Sequence, residues 1–128
     1  MLNRKSSARI ASIFLILHGV IEIAGLFFIN SIPLALISFG GLNGQALEDN
    51  ASAVAMYGVF WGTARLVAAW GSWSQQKWAL VFGMSMSLVT LVAAITIIPA
   101  GVTDTLFAIP ALLFLIYAWF GNEVKELV

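Results

Sequence analysis

Four stretches, each close to the roughly 20 mostly apolar residues a membrane crossing needs, fill most of this 128-residue chain. They run from about Ile10 to Ile29, Ala53 to Trp73, Trp78 to Ile98 and Asp104 to Phe120. Hydrocarbon offers no partner for a free backbone amide, so such segments cross it as helices that satisfy their own hydrogen bonds. Composition agrees: 61% of the residues are hydrophobic and 9% charged, against about a quarter charged in soluble domains. The expectation is an all-α fold, an integral membrane four-helix bundle forming a single domain over residues 1–128. Cysteine is absent, which removes disulfides, thiolate metal sites and thiol redox chemistry.

The links refine this picture. "SQQK" is tight and predicts an antiparallel hairpin of spans two and three. "PAGVTD" joins spans three and four, with Thr103 or Asp104 as the expected N-cap. Between the first two spans, "SIPLALISFGG" predicts a short helix over residues 32–39, capped by Ser31 and ended by Gly40 and Gly41. It is too short to cross and is placed at the interface or partly re-entrant. The first span is read as retained, being longer than a signal-peptide core.

Charge sets the direction. Arg4, Lys5, Arg9, Lys77 and Lys125 fall on one side of an even number of crossings, while Glu48, Asp49 and Asp104 fall on the other. The positive-inside rule puts both termini in the cytoplasm, hence a cell-membrane protein. Trp73, Trp78, Tyr117 and Trp119 gather at that same side, where amphipathic rings settle.

Three ionisable residues remain inside the apolar spans: His18, Glu22 and Arg65. A charge at mid-bilayer costs several kcal/mol on insertion scales, so it faces the bundle interior and finds a partner. His18 and Glu22 stand four apart on one helix face. Helical rise puts Glu22 roughly 18 Å into its span, and Arg65 about 12 Å from the inner surface. A guanidinium reaching up one turn would meet the carboxylate. The expectation is a Glu22–Arg65 ion pair with His18 as a hydrogen-bonding third member. The pair fits two roles equally: fixing helix register or serving function. Gly58 and Gly62, four apart in "GVFWG", allow close backbone approach beside Arg65. Pro110 predicts a kink in the last span.

The segments "LHGVIEIAG", "RLVAAWGSWSQQKWAL" and "NEVKELV" resemble, across nearly the whole length, small four-span prokaryotic membrane proteins of the DoxX-like kind. That resemblance implies the four-span architecture and, faintly, a redox partner. "ILHGVIEIAG" alone is similar to the first span of small multidrug-resistance transporters, with Glu22 in the place of their essential glutamate. Those proteins lack an arginine matching Arg65. Two functions follow: a scaffold or accessory subunit holding a buried His/Glu/Arg cluster, or a small-molecule or proton-coupled carrier working as a homo-oligomer. No nucleophile with a base and an orienting group stands out, so the expectation is a non-enzyme. No cofactor or metal is expected. The partners expected are the lipid bilayer and copies of itself or a larger membrane complex. Nucleic acid is not among them, because basic residues are few and scattered.

Overall fold

The computed structural model describes residues 3–28, 49–96 and 101–121. Among them the regular structure is entirely helical: α1 (Arg4–Phe28), α2 (Ala51–Trp73), α3 (Lys77–Ala94) and α4 (Gly101–Phe120). The expected short helix at 32–39 lies outside the described residues. Each helix packs on its neighbours in a ring, α1 on α2, α2 on α3, α3 on α4, and α4 back on α1.

Three of the helices are long and apolar enough to cross a membrane: α1 over Arg4–Gly25, α3 and α4. α2 is the exception. It is long, but Arg65 interrupts its apolar run. The boundaries also shift. α1 starts six residues earlier than expected, at Arg4, whose guanidinium donates to the carbonyls of Ala118 (2.8 Å) and Trp119 (2.6 Å). Those are last-turn carbonyls of α4, which lack helical partners and carry the negative end of the helix dipole.

α3 ends at Ala94, where the Thr96 amide and hydroxyl both donate to Ala93 O, at 2.9 and 2.7 Å. A β-branched run leading into Pro99 disfavours further helix. α4 begins at Gly101, packed on Ala94 so closely that a β-carbon would overlap it. Thr103 and Asp104 therefore lie inside the first turn rather than capping it. Pro110 sits within α4.

The α2–α3 link closes as a helix C-terminal motif. Gln76 N donates to Gly71 O and Gln75 N to Ser72 O, both at 2.9 Å. Gln75 takes the left-handed conformation, φ 59°, which the motif usually assigns to glycine.

The core is built from small residues. Ala8, Ala11, Leu15, Ala68, Ala69, Leu80, Ala111, Leu115 and Ala118 are buried together, with Phe14, Met84, Phe114 and Trp119 packed on them. Alanine at most contact positions lets helix axes approach closely. Large apolar side chains point outward instead: Phe27, Phe60, Trp70 and Leu106 are each at least 66% exposed.

Candidate functional site

The helix register brings one polar residue from each helix, and two from α1, to a common level. His18 and Glu22 come from α1, Arg65 from α2, Thr90 from α3 and Asp104 from α4. Only backbone contact permits this closeness on the α1–α2 side, where Gly19 and Gly62 pack main chain against main chain and Gly58 lies against the Glu22 carbonyl.

Arg65 is the hub. Its side chain is 4% exposed. One terminal nitrogen donates to Glu22 Oε2 and the other to Thr90 Oγ1. Thr90 in turn donates its hydroxyl proton to Met86 O at 2.9 Å. The hydroxyl thus satisfies its own helix and accepts from the guanidinium with a lone pair. The Arg65 guanidinium carbon also stands 5.9 Å from the Trp61 ring centroid, one turn away on the same helix and within cation–π range.

His18 forms the second half of the layer, its side chain likewise 4% exposed. Its Nε2 approaches Asp104 Oδ1 at 3.2 Å and Glu22 Oε1 at 3.9 Å. With a proton on Nε2 the imidazole donates to Asp104. The Phe107 ring, 5.4 Å away and tilted, packs against the imidazole. The carboxylates are less enclosed than the bases: the Glu22 side chain is 20% exposed and that of Asp104 37%. Two acids therefore face one permanent cation and one imidazole, with the acids toward the outside.

His18, Glu22 and Arg65 stand together, with Arg65 on Glu22 and His18 within 3.9 Å of the same carboxylate. Two members escape sequence reasoning. Thr90 reads as one more small residue on a helix face, and Asp104 as a cap on the outer loop. Asp104 is in fact in the first turn of α4, within hydrogen-bonding distance of His18. The structure supplies the antiparallel register that the sequence does not: Arg4 meets Ala118 and Trp119, so residues 14 further along α1 face those about 14 earlier on α4.

Among the described residues no group of three His, Cys, Asp or Glu side chains is arranged to hold a metal ion. The fold and layer together define a small all-helical bundle, three of its helices able to cross a membrane, pinned by a shared charged cluster. Comparison with protein-family models, curated proteins and solved structures finds no match.

Proposed function

We propose that this chain is a four-span integral membrane protein, both termini cytoplasmic, that serves as a scaffold or accessory subunit held in shape by its polar layer. One observation carries this reading: Arg65 bonds to α1 and α3 at once, while His18 joins α1 to α4. A cluster that uses its own hydrogen-bonding capacity to tie four helices is suited to fixing their packing and register. Large apolar side chains exposed on every helix support lipid as the surrounding medium, since soluble monomers rarely present such extensive patches. α2 joins the spans on this reading because its charge is neutralised inside. Arg4, Lys5, Arg9 and Lys77 at one end of the bundle support the inward termini. The likeness to DoxX-like proteins belongs to this proposal as one of architecture.

A carrier working as a homo-oligomer is the second reading, favoured by the partial exposure of the Glu22 and Asp104 carboxylates. The separating experiment is purification in mild detergent followed by a mass measurement. Foreign subunits that co-purify in fixed ratio support the accessory role. A clean homodimer that binds a cationic dye, and loses that binding in Glu22→Gln, supports the carrier and ends the scaffold reading.

A further inference from the structure

The basic residues at the start of α1 divide into two kinds. Arg4 is spent on the last carbonyls of α4. Lys5 and Arg9, one turn apart on the same face, are exposed, and among the described residues no carboxylate pairs with them. Arg9 lies against an aromatic wall: its guanidinium carbon is 5.4 Å from the centre of the Trp73 ring. Trp73 is 46% exposed and Trp70, one turn before it, 73%. Above Arg9 the same face of α1 turns apolar and stays open through Ile13, Ile16 and Val20, spaced four, three and four residues on.

We propose that this face binds one anionic glycerophospholipid, its headgroup phosphate held by Lys5 and Arg9. This rests on the membrane reading above. The order of chemistry along the face matches that of the lipid. Positive charge comes first, for the phosphate. Indole follows at the level of the glycerol esters, where tryptophan prefers to sit. A rail of branched aliphatic residues then runs on for the acyl chain. A free phosphate would use the first part only, and the continuous apolar rail selects the lipid. Arginine stacked on an indole holds its planar donors in a fixed orientation, which suits phosphate better than a mobile ammonium.

The test starts with the full chain expressed in cells, whose membranes are washed with carbonate and then dissolved in a neutral maltoside. Dioleoyl phosphatidylglycerol, dioleoyl phosphatidylcholine and inorganic phosphate are titrated separately, and binding is read by native mass measurement and by the shift in melting temperature. Phosphatidylglycerol is expected to bind one molecule per chain and raise the melting temperature, with the other two probes inactive. Two basic groups, each worth about fivefold at an anionic surface, predict a loss of roughly 25-fold in Lys5→Gln/Arg9→Gln. Lys77→Gln should keep most of the affinity, whereas Arg9→Lys, which keeps the charge but gives up the stacked planar donors, should lose part of it.

Where the double variant does not fold, the salt dependence of the wild-type chain decides, since affinity held by exposed charge falls as salt rises. Equal binding of the two lipids, activity of phosphate alone, an affinity indifferent to the double substitution, or one indifferent to salt overturns the site while leaving the membrane reading intact. A chain released by the carbonate wash overturns both.

Discussion

A β-carbon placed on Gly62 would stand 2.6 Å from the carbonyl oxygen of Gly19, and one placed on Gly19 would stand 2.7 Å from the carbonyl oxygen of Gly62. The two helices therefore meet through main chain, with no flexible side chain between them to give way. Ile23 also closes on Gly62, 2.7 Å from the same imagined atom. Gly62→Ala must push α1 and α2 apart, and overpacking of this kind costs about 1–3 kcal/mol. Denaturant unfolding in detergent micelles checks this. Gly25→Ala, where nothing lies within 4 Å of the added carbon, serves as the unhindered control and should lose no stability.

Separation of the two helices would also stretch the contact between Arg65 and Glu22. Removing one member of a buried pair leaves the other uncompensated, at about 3–5 kcal/mol for fully enclosed groups. Glu22 keeps a fifth of its surface, so Glu22→Gln and Arg65→Gln are each expected to cost about 2–4 kcal/mol. The double substitution should cost less than the sum of the singles. Additive losses in a double-mutant cycle would show that the two side chains do not depend on one another.

Thr90 offers a cleaner cut. Thr90→Val keeps the shape and deletes the hydroxyl, so Arg65 loses an acceptor inside the protein. An unsatisfied buried donor costs about 1–3 kcal/mol. Thr90→Ser restores the oxygen and should recover most of the stability. A valine variant as stable as the parent would mean that the guanidinium finds another acceptor.

The hairpin between α2 and α3 invites a stabilising change. Gln75 holds φ 59°, a conformation that costs an L-residue roughly 1–2 kcal/mol and glycine almost nothing. Gln75→Gly is expected to raise stability by about 1 kcal/mol after the added freedom of the unfolded chain is subtracted. A higher melting temperature with unchanged helix content is the expected readout.

Helices and their order were legible because an apolar run of this length has few alternatives. The His18, Glu22 and Arg65 positions were legible for a related reason: an ionisable group in an apolar run announces itself by its cost. Thr90 was not legible, since a hydroxyl that can bond to its own helix carries no comparable cost. Asp104 was misplaced because an acid near a helix start fits a cap equally well. Only the inter-helix register, fixed by contacts such as Arg4 with Ala118, tells the two apart. The extent of α2 was read well: Ala53 to Trp73 was expected and Ala51–Trp73 is helical.

The polar layer also has an order of assembly written into it. Glu22 and Arg65 belong to the first two described helices, whereas Thr90 and Asp104 arrive on the two that follow. For a chain delivered to a bilayer as it is synthesised, these first two helices can enter already neutral, acid against base. The later helices then complete a contact that exists, and neither charge need wait in oil for the rest of the protein to be made.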